Sequence, residues 1–134
     1  MNKTIVTIII LAIVFGGGYF LFKGKPANND VPASTSQENI VTYANGGFSP
    51  NSLMVKKGDI VTFKNQSSQS MWVASAMHPT HLTYPTVGGC IGSTFDACQG
   101  IQPGGSWSFK FDISGTWKYH NHLSPSDTGV IVAE

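Results

Sequence analysis

Near its C-terminus the chain carries the segment Gly115-Thr116-Trp117-Lys118-Tyr119-His120-Asn121-His122-Leu123, which has the alternation of a β-strand. The aromatic residues Trp117 and Tyr119 project to one side of such a strand, and the histidines project to the other. His120 and His122 would leave the extended backbone in the same direction, with Cα atoms about 6–7 Å apart. The segment therefore predicts a strand that presents two imidazoles to one ion or to a closely spaced pair of ions.

All four histidines of the chain fall in two short clusters, and the second cluster is Met77-His78-Pro79-Thr80-His81. Neutral imidazole is a good ligand for copper, zinc, nickel and iron, and among divalent ions affinity peaks at Cu²⁺. We therefore expect a metal site, with copper favoured over zinc. Its predicted ligands are His78, His81, His120 and His122, with Met77 as a candidate axial ligand. The alternative is that the histidines are surface loop residues, or that one pair serves only in hydrogen-bonded packing.

Length and charge exclude several classes of protein. The 134 residues suffice for one ordinary domain, and the net charge is +1 with only 11% charged residues. Residues 38–134 hold five lysines, no arginine and six acidic residues. A nucleic-acid-binding protein is expected to carry a basic stripe, and this composition has none.

The N-terminal part of the chain differs from the rest. Lys3 precedes an apolar run over residues 4–22, which has the length of a membrane-spanning helix. We expect residues 1–25 to form one N-terminal transmembrane anchor, with a cleaved signal sequence as the alternative. Residues 26–37 are rich in Pro, Asn, Ser and Thr and predict a flexible linker. The domain would then occupy residues 38–134.

Within that domain, turn signals separate short runs of alternating residues and predict an all-β, antiparallel sandwich of about seven strands. The predicted strands are 40–43, 52–55, 60–65, 71–75, 106–112, 116–123 and 129–133. The segment from 78 to 103 has no periodicity, and a loop of that length in a compact domain is usually functional or disordered.

A series of motifs runs in order through this domain. They are Phe48-x-Pro50-x-x-Leu53-x-Val55-x-x-Gly58-Asp59-x-Val61-x-Phe63-x-Asn65, then Pro103-Gly104-x-x-x-x-Phe109, Gly115-Thr116-Trp117 and Gly129-x-Ile131-Val132. Together they resemble the cupredoxin family. The resemblance implies a Greek-key β-sandwich with a metal site at one end and, most often, copper electron transfer.

The predicted site departs from the blue-copper pattern, in which two His and one Cys thiolate bind copper with a weak axial Met. Residues 120–127 contain neither Cys nor Met. The H-x-H pair and His78-Pro79-Thr80-His81-Leu82 instead resemble the H-x-H and H-P-x-H-L motifs of multicopper oxidases. This likeness supports the four histidines as ligands. It does not imply oxidase activity, because those enzymes need several such domains.

Cys90 and Cys98 lie eight residues apart in the long loop. A disulfide is the simplest expectation for a domain carried outside the membrane, and a thiolate ligand is the alternative. A disulfide would place the domain in an oxidising, extracytoplasmic compartment such as the periplasm or cell surface. Asp112 and Asp127 are candidates for orienting the imidazoles.

Three functions remain open. The first is a membrane-tethered copper-binding protein for copper delivery or electron transfer, acting with a redox or copper-transfer protein partner. The second is a small copper enzyme with an open coordination position in superoxide or oxygen chemistry. The third is a metal-free interaction module. The sequence favours a non-enzymatic role.

Overall fold

Alternating apolar and polar residues form eight strands within residues 38–134, which are the part of the chain described by this computed structural model. The strands are β1 (Asn39–Ala44), β2 (Gly47–Ser49), β3 (Ser52–Val55), β4 (Ile60–Asn65), β5 (Val73–Ser75), β6 (Ser106–Lys110), β7 (Gly115–Asn121) and β8 (Ser124–Ala133). The predicted all-β sandwich is confirmed, and β2 is a strand that was not predicted from the sequence.

The strands form two four-stranded sheets, with the order β2-β1-β4-β6 in one and β3-β8-β7-β5 in the other. The prediction of an antiparallel sandwich holds for four strand pairs and is wrong for two, because β1 pairs with β4 and β3 pairs with β8 in parallel. Both parallel pairs join strands that are not consecutive in the chain. Turn signals mark where strands end, but they do not determine which distant strands become neighbours.

Aromatic side chains fill the space between the sheets. Tyr119 of β7 packs edge-on against Phe63 of β4 and Phe48 of β2, with ring centroids 5.2 and 4.9 Å apart. Offset and edge-on contacts of this kind add to the stabilisation from burial. Because Tyr119 faces the core, its neighbour His120 faces the outer side of the sheet.

No strand lies between β5 and β6, as the missing periodicity of that segment predicted. The segment is nevertheless ordered against the sandwich, because Phe95 is completely buried within the aromatic core. The backbone N–H of Ser75 donates to the carbonyl of Phe95 at 2.7 Å, and that of Ala97 donates to Val73 at 2.9 Å. Residues 95–97 therefore run along the edge of β5 that faces away from β7.

Within residues 38–134, no helix has the length and apolar character needed to cross a bilayer. The predicted anchor over residues 1–25 and the predicted linker over 26–37 lie outside the described residues, so both stay predictions.

Candidate metal centre

Pairing of the strands brings His120 close to an acidic residue of the long loop. Ala74 of β5 pairs with His120 of β7 on one side and forms a bridge with Asp96 on the other. Residues paired in this way share one face of the sheet, so the three side chains stand side by side on its outer face. The small, buried side chain of Ala74 leaves room between the other two.

His122 lies in the tight turn between β7 and β8. The predicted strand over 116–123 was therefore too long, and the expected strand geometry of the H-x-H pair is wrong at its second histidine. The reason is the side chain of Asn121, whose Oδ1 accepts hydrogen bonds from the backbone N–H groups of Trp72 and Leu123 at 2.9 and 3.2 Å. The N–H of His122 donates to the carbonyl of Trp72 at 2.7 Å, which fixes the turn.

The segment after β5 folds back as a tight turn that carries the other two histidines. The N–H of His81 donates to the carbonyl of Met77 at 2.9 Å, and that of Thr83 donates to Ala76 at 2.7 Å. His81 has a φ of 54°, which is the left-handed conformation that lets the chain reverse within so few residues. His78 and His81 are thereby directed towards β7.

The structure brings the four predicted ligands together. Ring centroids are 4.8 Å apart for His78 and His122, 4.9 Å for His81 and His122, and 5.0 Å for His81 and His120. One nitrogen from each of the four rings lies within 4.8 Å of all the others. Two nitrogens bound to one ion at about 2.0 Å lie roughly 2.8–4.0 Å apart, so the cluster matches a single ion after a small contraction.

His120 shows most directly that these residues fit a metal. Its side chain is 2% exposed, and neither ring nitrogen has a hydrogen-bond partner among residues 38–134. Burial, reinforced by the neighbouring rings of His81, His78 and His122, lowers the pKa of His120 to about 4. The imidazole is therefore neutral at pH 7, the form that binds metals. Buried polar groups are normally paired, and an ion would supply the missing partner.

An acidic residue that was not among the predicted site residues supports this cluster. Oδ2 of Asp96 lies 2.6 Å from Nδ1 of the fully buried His81. Asp112 instead forms an exposed ion pair with Lys110, and Asp127 accepts a hydrogen bond from the hydroxyl of Tyr43. These contacts give no support to the expectation that Asp112 and Asp127 orient imidazoles. Asp96 follows no periodic pattern, and its position two residues before Cys98 is the one signal that could have marked it.

Cys90 and Cys98 form a disulfide with Cα atoms 5.5 Å apart, as predicted. Both sulfurs are used in that bond, which removes the alternative of a thiolate ligand in the oxidised protein. Met77 is 72% exposed, and its role as an axial ligand stays a prediction.

Comparison with known proteins supports the fold. No family model and no curated protein matches the sequence. Among solved structures, a purple cupredoxin from Nitrosopumilus maritimus matches with a TM-score of 0.59 and 18% identity, over 72% of this chain and all of the other. A mutant of amicyanin in its Cu(I) form gives 0.57 and 22%, over 72% and 82% of the two chains. A second amicyanin mutant, in the reduced state, gives 0.56 and 24%, over 73% and 83%.

These likenesses, at identities below 25%, establish the class of fold. Residues 38–134 have the cupredoxin fold, with four histidines gathered where His120 of β7 meets the two turns that carry the other three.

Proposed function

We propose that this chain is a copper-binding protein whose site is built mainly from histidine, and that it binds and delivers copper. The proposed ligands are His78, His81, His120 and His122. The observation that carries the proposal is His120, whose two buried ring nitrogens have no partner within the described domain. This neutral imidazole lacks a hydrogen-bond partner and lies beside three other imidazoles. A metal ion bound to all four rings would supply the missing partner.

The choice of copper rests on chemistry and on fold. An all-nitrogen donor set suits both copper and zinc, and at a given site the affinity for Cu²⁺ exceeds that for Zn²⁺. The structural neighbours include a copper form of a protein with the same fold. Bound at this cluster, copper would supply an ion that accepts and returns one electron.

Delivery is favoured over electron transfer by the ligands. The site lacks the thiolate that blue-copper proteins use, and Cys90 and Cys98 are joined to each other. His78 is exposed whereas His81 and His120 are buried, so one ligand lies at the surface and can exchange with a partner's ligand.

Electron transfer is the second candidate function, and the hydrogen bonds around the cluster favour it. His81 is held by Asp96, and the turn that carries His122 is held by the side chain of Asn121. Ligands fixed in this way before binding would move little between Cu(I) and Cu(II).

We further propose that the domain acts on the extracytoplasmic side of a membrane, tethered by residues 1–25. The disulfide supports an oxidising compartment, and the apolar N-terminal run supports the tether.

Calorimetric titration of the full chain with Cu(II), in detergent micelles, tests the site. We expect one equivalent of tightly bound copper and loss of most of that affinity in the double variant His120→Ala/His122→Ala. The absence of stoichiometric uptake would leave a metal-free interaction module. Unchanged uptake by the double variant would place the copper elsewhere.

A further inference from the structure

We propose that Asp96 is a positioning residue that sets the tautomer of His81, so that Nε2 of this ring faces the metal. The inference rests on the proposed function, because it assigns a role within the same site. Metal-binding histidines commonly donate their second ring N–H to a carboxylate, which fixes the ring and raises the basicity of the ligand.

The geometry at Asp96 assigns the proton. A carboxylate can only accept hydrogen bonds, so the 2.6 Å contact between Oδ2 and Nδ1 of His81 places the proton on Nδ1. In the neutral imidazole, which is the form that binds metals, this leaves Nε2 of His81 as an acceptor. That nitrogen lies 2.9 Å from Nδ1 of His122, so in this tautomer His122 donates in the contact between the two rings.

The other oxygen of Asp96 prevents the carboxylate from turning. Oδ1 accepts hydrogen bonds from Nε1 of Trp72 at 2.7 Å and from the backbone N–H of Cys98 at 2.8 Å. Both donors are fixed in the structure, since Trp72 directly precedes β5 and Cys98 is tied into the disulfide. Oδ1 is therefore held towards Trp72, and Oδ2 faces His81.

Trp72 connects this carboxylate to a second histidine. Its ring packs against His122 with centroids 4.5 Å apart while its N–H bonds to Asp96. Trp72 thus positions His122 by direct ring contact, and it positions His81 through the carboxylate of Asp96. The variant Trp72→Phe would keep an aromatic ring against His122 and remove only the hydrogen bond.

The substitution Asp96→Asn has an outcome that a merely structural role would not produce. The two donors at Oδ1 would retain the amide oxygen of the asparagine, so its NH₂ group would face Nδ1 of His81. His81 would then have to accept at Nδ1 and carry its proton on Nε2, the nitrogen assigned to the metal. We expect the tautomer to reverse and copper affinity to fall about 10–100-fold.

The test uses ¹⁵N NMR of the metal-free full chain, in which the chemical shifts of the two ring nitrogens report the tautomer of His81. Wild type should show the proton on Nδ1, Asp96→Asn should show it on Nε2, and Trp72→Phe should keep the wild-type tautomer. Asp112→Asn is the matched control, because that carboxylate lies in an exposed ion pair with Lys110. Copper affinity is measured on the same four proteins.

A proton on Nε2 in the wild type would overturn the proposal even if Asp96→Asn failed to fold. Unchanged copper affinity in a folded Asp96→Asn would also overturn it and would leave the histidine site standing. Failure of wild type to bind copper would instead remove the proposed function, and the tautomer measurement would still decide whether Asp96 orients His81.

Discussion

Nε2 of His81 lies 2.9 Å from Nδ1 of His122, although the two residues are 41 positions apart in the chain. A contact between such distant residues exists only in the folded protein. The cluster is therefore assembled by folding, and a metal that binds it should stabilise the folded state over the unfolded chain.

Copper should accordingly raise the stability of the protein. At free copper about 100 times the dissociation constant, the expected gain is about 2.7 kcal/mol. Thermal unfolding with and without Cu(II) measures it as a rise in the melting temperature. A copper-dependent rise of the same size in His120→Ala/His122→Ala would contradict the assignment of these ligands.

Acid should weaken the metal-free protein through His120. Burial and the neighbouring imidazoles lower its pKa from 6.5 to about 4, so between these values the unfolded chain binds more protons than the folded one. Stability should therefore be unaffected above about pH 6.5 and should fall progressively as the pH drops towards 4. Burial also lowers the pKa of His122, which adds to the loss in the same direction.

Urea unfolding of the metal-free protein at several pH values between 4 and 7 measures this dependence. In His120→Gln, which cannot titrate there, the slope of stability against pH should be smaller than in wild type. An equal slope would show that His120 is not the group responsible.

The hydroxyl of Tyr119 should be dispensable. It is buried and has no hydrogen-bond partner among the residues described, and an unpaired buried polar group costs about 1–3 kcal/mol. We expect Tyr119→Phe to leave stability unchanged or to increase it by about 1 kcal/mol. Tyr43→Phe is the matched control, because that hydroxyl donates to Asp127 at 2.8 Å and its loss should destabilise by about 1 kcal/mol. An equal decrease in the free energy of unfolding of the two variants, measured by urea unfolding, would contradict the prediction.

The disulfide should contribute to stability and not to coordination. Chain-entropy arguments for so short a loop give about 2–3 kcal/mol, and Cys90→Ser/Cys98→Ser should lose roughly that amount. One equivalent of copper should still bind, because neither sulfur is a proposed ligand. Loss of stoichiometric binding in a folded double variant, measured by calorimetry, would contradict the prediction.

Much of this structure follows from local patterns in the sequence. The alternation in β4 and β7 places Phe63 and Tyr119 in the core, and the two histidine clusters are visible as spacings. What local patterns could not reveal depends on contacts between distant residues. The parallel pairing of β1 with β4, the turn at His122 and the approach of Asp96 to His81 are all set by tertiary structure.

Coordination of copper by imidazole nitrogens, with no thiolate ligand, can be read from the electron paramagnetic resonance spectrum of the Cu(II)-loaded full chain. We expect ordinary, wide copper hyperfine splitting with nitrogen coupling and a pale visible spectrum. A narrow splitting accompanied by an intense blue absorption would reveal a thiolate ligand and rule out the proposed histidine site.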